Sequence, residues 1–391
     1  MANPFKPSAG TTPPLLVGRM NVLDDFAEAL DDGPGAPGRL AFVTGARGIG
    51  KTVMLTKLGR IAADAGWSVI EETATVGLVD RLTRAVRAER ENTGVVDRPR
   101  TKAIKLGVPR FAEVTKEFAE PLSDALDLRT ELDRLLESPL MADYGVLITV
   151  DEIHTIATEE LDQLAAVVQH LLRDEYNVAL VMAGIPQAVD HLISDNAQRP
   201  RVSTFLRRAE RIVLGRVEED DVAQSFREIA AEAGMEWPSE VAATCAEDTG
   251  GYPFMIQLVG YHTWRAARGS EQITGAHAAT GIEAARRKIG DLVHAPALQD
   301  LSATDKTMLL AAAQDAGPSR PADIARRVGK NTSYVSVYRG RLERAGMIEV
   351  GLDGSWRIAA PELREYLREH AAHIAMNDLE SERGSSPSTL F

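Results

Sequence analysis

Leu40-Ala41-Phe42-Val43-Thr44-Gly45-Ala46-Arg47-Gly48-Ile49-Gly50-Lys51-Thr52 decides how this chain is read. Leu40 to Thr44 is an apolar, β-favouring run that predicts a short buried strand, and Thr52 to Ala65 returns to helical spacing. The turn between them fits G-x-x-x-x-G-K-[ST], with Gly45, Gly50, Lys51 and Thr52 at the fixed positions. Glycines permit backbone conformations that a Cβ forbids and let successive N–H groups approach a phosphate chain. The positive end of the following helix points at the same phosphates. The loop Gly45, Ala46, Arg47, Gly48, Ile49, Gly50, Lys51, Thr52 is therefore expected to cradle a nucleoside triphosphate. In that reading the Lys51 ammonium reaches the β- and γ-phosphates and the Thr52 hydroxyl ligates Mg²⁺.

Working outward, Val146-Leu147-Ile148-Thr149-Val150 runs straight into Asp151-Glu152. A continuous apolar run suits a central parallel strand buried on both faces. Two acids at the end of such a strand, downstream of a phosphate loop, match the Walker B order. Asp151 would hold the Mg²⁺ beside Thr52, and Glu152 would orient the attacking water as general base. The continuation Ile153-His154 mimics the DExH box of helicases, but the rest of the chain is helical and too short for a second motor domain. His154 is read as a local hydrogen-bonding residue.

The strand Trp67 to Thr73, the helix Leu78 to Glu89, the helix Asp127 to Glu137, the helix Glu159 to Asp174 and the strand Val178 to Ala183 complete an alternating pattern. Such alternation predicts an α/β layered core with a parallel sheet and a ligand at the carboxyl ends of its strands. Glu91 to Pro121 is polar and poorly periodic, with a hairpin candidate at 101–111. From Glu218 the pattern is helical only. The segments Asp220 to Ala233, Pro238 to Thr249, Phe254 to Arg268 and His277 to Ile289 predict a small all-α domain.

At 391 residues two to three domains are expected. A formal net charge of −13 excludes a protein that coats nucleic acid with its whole surface, so any such contact needs a local basic patch. The single cysteine, Cys245, excludes an intrachain disulfide and a cysteine zinc cluster. No apolar leader opens the chain and no run approaches a membrane span, so a cytoplasmic protein is expected. The excess of arginine over lysine and the abundance of alanine suggest a bacterial, GC-rich coding sequence.

Val17-Gly18-Arg19 ahead of the phosphate loop, Asp151-Glu152, a strand ending Ala183-Gly184-Ile185-Pro186, and Gly250-Gly251-Tyr252-Pro253 on the helical segment together resemble the AAA+ ATPases. The similarity is to the origin-recognition-like and archaeal-type branch, next to the STAND switch ATPases. It spans about Leu15 to Ile289. The resemblance implies an AAA+ P-loop NTPase core followed by an all-α lid, with ATP and Mg²⁺ bound between them. It implies that Val17, Gly18 and Arg19 line the adenine pocket and that Pro253 contacts the base. Arg207, Arg208 and Arg211 lie where such proteins place an arginine finger for a neighbouring subunit, which would imply a nucleotide-dependent homo-oligomer; alternatively they pair with the acidic run Glu218 to Asp221. Two departures from the family pattern imply slow, switch-like hydrolysis. Ala183-Gly184 stands where a polar sensor is usual, and Tyr252-Pro253-Phe254 where a lid arginine is usual.

In the last quarter, Ser319 to Gly329 predicts a short helix with Pro321 in its first turn and Gly329 at its end, Lys330-Asn331 a turn, and Ser333 to Ala345 a second helix capped by Thr332 and closed by Gly346. Met347 to Val350 and Ser355 to Ile358 flank Gly351-Leu352-Asp353-Gly354, a hairpin signature. Helix, turn, helix, hairpin reads as a winged helix-turn-helix. Arg326, Arg327, Lys330, Arg339, Arg341 and Arg344 against Glu343 make the stretch locally basic, the footprint of duplex DNA. Ser333, Tyr334, Ser336 and Val337 at the start of the second helix would face base edges, with Arg339, Arg341 and Arg344 as further DNA contacts. The alternative is a switch whose winged helix contacts protein and not DNA. The expected organisation is a flexible arm at 1–14, the core at 15–216, the lid at 217–290, a linker at 291–302, the winged helix at 303–361, and a C-terminal helix with a disordered tail at 362–391.

Overall fold

The computed structural model describes residues 2–7, 18–46, 48–92, 119–138, 141, 144–193, 204–299, 301–359, 363–371 and 374. The hairpin candidate at 101–111, Val17, Arg47 and the tail from 375 lie outside them. Two compact units emerge: Arg19–Gly45 with Lys51–Leu214, and Met1–Gly18 with Ala46–Gly50 and Gly215–Phe391.

The first unit is built on β1 (Leu40–Thr44), β2 (Ser68–Thr73), β3 (Val146–Asp151), β4 (Val178–Gly184) and β5 (Glu210–Val213). They form one sheet in the order β2-β3-β4-β1-β5, and every pairing is parallel. All residues of β4, and all of β3 before Asp151, are buried, as apolar runs covered by helices on both faces must be. The helices are α1 (Met20–Asp31), α2 (Lys51–Asp64), α3 (Leu78–Asn92), α4 (Ala119–Leu136), α5 (Thr158–Arg173) and α6 (Pro186–Ile193). This is the predicted α/β class, with the AAA+ P-loop NTPase fold. The sequence pattern missed β5. Three of its four side chains are exposed, so no apolar period marks it, and only pairing with β1 makes it a strand.

Arg39, just before β1, is 2% exposed. Its guanidinium donates to the carbonyls of Ala29 (2.7 Å) and Leu30 (2.5 Å) at the end of α1 and to Asn177 Oδ1 (2.9 Å). It also lies 4.8 Å over the Trp67 ring. One buried cation thus satisfies orphan helix-end carbonyls and ties α1 to the sheet.

The second unit carries α7 (Glu219–Glu232), α8 (Ser239–Thr249), α9 (Pro253–Ala266) and α10 (Gly275–Ile289). Residues 2–7, expected to be part of a loose arm, are anchored here. The Phe5 ring is 1% exposed and meets Phe226 and Trp237 edge-on at 5.8 and 6.0 Å. Asn3 Nδ2 donates to the Tyr261 carbonyl at 2.9 Å. The expected linker is also corrected. Gly290–His294 forms a π-helical turn and Ala295–Gln299 a further helix, α11, with Leu298 buried.

Beyond it, α12 (Ala303–Ala313), α13 (Pro321–Val328), α14 (Thr332–Arg344), β6 (Ile348–Val350), β7 (Trp356–Ile358) and α15 (Leu363–Glu369) share one core around Leu309, Ile324, Val335, Leu342 and Trp356. The N-cap of α14 is Asn331, whose side chain accepts from Tyr334 N at 2.8 Å, and not Thr332. The strands β6 and β7 pair antiparallel, and Ser319 joins Trp356 through an isolated antiparallel bridge. No helix of the described residues is long and apolar enough to cross a membrane.

Candidate functional site

Parallel pairing puts the carboxyl ends of the central strands level: Thr44 is in register with Gly184, and Thr73 with Asp151. β4 separates β1 from β3, so the phosphate loop and Asp151 start about 10 Å apart across two strand spacings. The first turn of α2 closes that gap. Thr52 Oγ1 donates to Asp151 Oδ2 at 2.5 Å. Asp151 Oδ1 in turn accepts from the Glu152 N–H at 2.8 Å, which fixes the carboxylate's rotation. Lys51 is buried at 7% exposure and its ammonium donates to the Gly45 carbonyl at 3.1 Å, so it folds back over its own loop.

Glu152 adopts φ +55°, ψ +39°, a left-handed conformation that is uncommon outside glycine, asparagine and aspartate. That twist ends β3 abruptly and turns the chain into a short 3-10 turn at Ile153–Thr155. Thr155 Oγ1 donates to the Ala74 carbonyl, and Ala74 N to the Asp151 carbonyl at 2.8 Å, so the turn is tied to the end of β2. The His154 side chain lies outside the described residues.

A cavity of about 250 Å³ opens at this edge, lined by Thr52, Thr56, Glu71, Glu72, Thr149 and Asp151 among others. Glu72 is held by Arg81 at 2.9 Å, with Arg81 also donating to the Thr73 carbonyl at 2.7 Å. Sequence reading missed this wall, because Glu71-Glu72-Thr73 at a strand end carries no motif. The donor set is oxygen only, which suits a hard cation. Among the described residues no three His, Cys, Asp or Glu side chains converge to hold a metal. A cation beside Thr52 and Asp151 would therefore complete its shell with phosphate oxygens and water, as Mg²⁺ prefers. At the end of β4, Ala183 and Gly184 are buried and bring no polar side chain to the strand ends.

In the other unit, Gly18 has φ +66° and packs against Val217. Pro253 occupies the first turn of α9, where its missing N–H costs nothing. Arg19, which opens the first unit, is half-buried, and burial lowers its guanidinium pKa.

The basic cluster at the start of β5 resolves into three different residues. Arg207 Nε donates to the Ile193 carbonyl at 3.0 Å. Arg211 pairs with Asp190 at 3.1 Å and lies 5.4 Å over the Phe42 ring. Arg208 is exposed, with no ion pair among the described residues.

The C-terminal candidates also separate. Ser333, Ser336 and Arg339 are exposed on α14, and Val337 is 65% exposed. Tyr334 instead turns inward. It packs on the core and its hydroxyl meets that of Tyr338 at 3.2 Å. Arg341 bonds the buried Asp305 carboxylate at 2.9 Å. Arg327 is clamped by Asp315, which is pulled down to about pKa 2 chiefly by that hydrogen bond, and Arg326 pairs with Asp323. Lys330 and Arg339 have no carboxylate partner among the described residues, and the Arg344 side chain lies outside them. Counting acids only within 326–344 overstated the patch. Over 303–359, nine basic and six acidic residues leave a net +3.

Residues 15–181 match the family model described as an AAA ATPase domain. The match is to a nucleotide hydrolase core. Residues 291–367 match a domain of unknown function, whose start falls inside the π-helical turn. Among solved structures, a Walker-type ATPase of Pyrococcus abyssi superposes with a TM-score of 0.59 at 14% identity, over 90% of this chain and 96% of that one. Cdc6p from Pyrobaculum aerophilum aligns at 16% identity and a TM-score of 0.49, over 95% and 98%. The RuvB Holliday junction branch migration motor of Thermotoga maritima aligns at 14% and 0.47, over 90% and 95%. At such identities the likeness to the Pyrococcus protein speaks for the fold alone. No match was found among curated proteins.

Proposed function

We propose that the chain is a slow, switch-like ATPase that binds ATP–Mg²⁺ at Gly45–Thr52 and contacts duplex DNA through a winged helix at 303–361. The observation that carries the nucleotide reading is the Thr52–Asp151 pair, a hydroxyl and a carboxylate 2.5 Å apart at the foot of a glycine loop. Both would ligate Mg²⁺, which when bound neutralises charge developing on the β- and γ-phosphates. Lys51 would exchange the Gly45 carbonyl for phosphate oxygens. Glu152, held in a strained backbone conformation beside Asp151, would orient the water and accept its proton. The apolar end of β4 offers no further group to stabilise the transition state, which supports slow turnover. Exposed Arg208 is the member of its cluster best suited to reach a neighbouring copy.

Lys51→Ala is expected to abolish binding of a fluorescent ATP analogue. Glu152→Gln should keep that binding while steady-state hydrolysis falls about 100-fold or more. Normal ATP binding by Lys51→Ala would refute the site.

For DNA, the supporting feature is the exposed face of α14, where hydroxyls, the Val337 methyls and the Arg339 guanidinium offer the chemistry that reads base edges. The pairing of Arg326, Arg327 and Arg341 with carboxylates favours the competing reading, a regulatory switch whose winged helix contacts protein. Fluorescence anisotropy with random duplex DNA decides between them. Absence of binding at low salt leaves the regulatory switch standing.

A further inference from the structure

Tyr252, in the turn before α9, brings a buried phenol against the phosphate loop. The residue is 2% exposed. A β-carbon on Gly48 would overlap its hydroxyl and lie 2.8 Å from ring Cζ, so the ring ends on the apex of the loop. Two glycines in left-handed conformations, Gly48 and Gly251, make this approach possible. Gly48 (φ +74°) leaves the room for the hydroxyl. Gly251 (φ +67°) lies so close to Val217 that a β-carbon would overlap the Val217 carbonyl oxygen, while Val217 N donates to the Gly251 carbonyl at 2.8 Å. Gly18 (φ +66°) closes on the other side, where a β-carbon would sit 3.4 Å from Val217 Cγ1. The Gly18 and Gly251 turns thus meet at Val217, and Tyr252, next after Gly251, reaches the phosphate loop. Burial pushes its phenol up to about pKa 12, so the hydroxyl stays neutral, a hydrogen-bond donor, near neutral pH.

We propose that Tyr252 is a positioning residue for bound nucleotide, setting the apex of the phosphate loop at Gly48 and transmitting its occupancy to the helix that starts at Pro253. The inference rests on the ATP reading above. Anion binding draws the loop's N–H groups toward phosphate and so shifts the backbone at Gly48. A close-packed phenol, with its hydroxyl against that backbone and its ring running back to the start of α9, has no free volume in which to absorb the shift, and loss of the hydroxyl opens a gap there. The helix must answer, and by linkage the ring must in turn alter nucleotide affinity. The sequence pattern, which showed only that an arginine is missing from this turn, could not register a contact made by ring length and burial.

Hydrogen exchange of the full chain, with and without ATPγS–Mg²⁺, tests this in the parent and in Tyr252→Phe. In the parent, nucleotide should slow amides at 45–52 and also those in the first two turns of α9, the latter by about fivefold or more. Tyr252→Phe keeps the ring and the burial, so it should retain slowing at 45–52. Its response at α9 should fall below about twofold, and its ATP-to-ADP affinity ratio should change by a similar factor. Tyr252→Leu carries the same expectation and serves where the phenylalanine variant does not fold. An α9 response in the variant equal to the parent's, or none in the parent despite slowing at 45–52, overturns the proposal. No slowing at 45–52 in the parent refutes the ATP reading itself.

Discussion

The salt dependence of the proposed DNA binding gives the sharpest check on the proposed winged helix, because the structure changes its expected size. Each phosphate neutralised by a cation releases counterions, and the slope of log K against log salt is about −0.9 per contact. All six cations between Arg326 and Arg344 acting together would give a slope of about −5, and affinity would fall about 2,000-fold between 50 and 200 mM salt. Arg326, Arg327 and Arg341, however, already face carboxylates. To bind phosphate each would first have to leave a partner, and Asp305 would then be left buried and unpaired. Lys330 and Arg339, with Arg344 beside them in sequence, remain. Two to three contacts give a slope of about −2 to −3, and a loss of about 10- to 40-fold over the same range. Fluorescence anisotropy on a labelled random duplex at four or five salt concentrations measures it. Lys330→Glu and Arg339→Glu should each flatten the slope by about one, whereas Arg326→Gln should leave it nearly unchanged. A slope near −5, or equal flattening by Arg326→Gln, would refute the claim that these ion pairs persist in the complex.

Two further outcomes follow from single contacts. Phe5→Ala removes a ring packed on Phe226 and Trp237, worth about 3–5 kcal/mol if the pocket stays open, but the loss is capped by the docking energy of residues 2–7. Urea unfolding should therefore show equal destabilisation for Phe5→Ala and for deletion of residues 2–7, and a much larger effect of the deletion would show that Phe5 is not the anchor. Asp315 is held near pKa 2 by Arg327, below its ordinary unfolded value, so its stabilising contribution is complete above about pH 4 and fades as pH falls toward 2. Asp315→Asn should accordingly lower the melting temperature at pH 6 and make little difference at pH 2; an equal effect at both would show that the pair does not act through charge.

Legibility from sequence tracked how locally each feature is encoded. The phosphate loop could be read within eight residues, because its shape depends on backbone freedom at Gly48 and Gly50 and on the neighbouring Lys51 and Thr52. The strands β3 and β4 were equally plain, since burial on both faces leaves an unbroken apolar run. β5 left no such run, because three of its four side chains face solvent, and Phe5 sat in a polar, proline-containing stretch whose composition resembles a free arm.

From the sequence came class and candidate chemistry: a parallel α/β core, the G-x-x-x-x-G-K-T turn, the acids closing β3, and a helix, turn, helix and hairpin near the end. What only the tertiary structure decided was which of these groups meet. Thr52 and Asp151 lie 99 residues apart and touch because parallel register levels the strand ends. Arg341 and Asp305 are 36 residues apart, and their pairing removes a cation from a surface that the linear count had left basic. Tyr252 reaches Gly48 across about two hundred residues because neither Gly48 nor Gly251 carries a side chain at its close approach. A charge or a ring is written in one residue, but its partner is chosen by packing, and packing is a property of the whole chain.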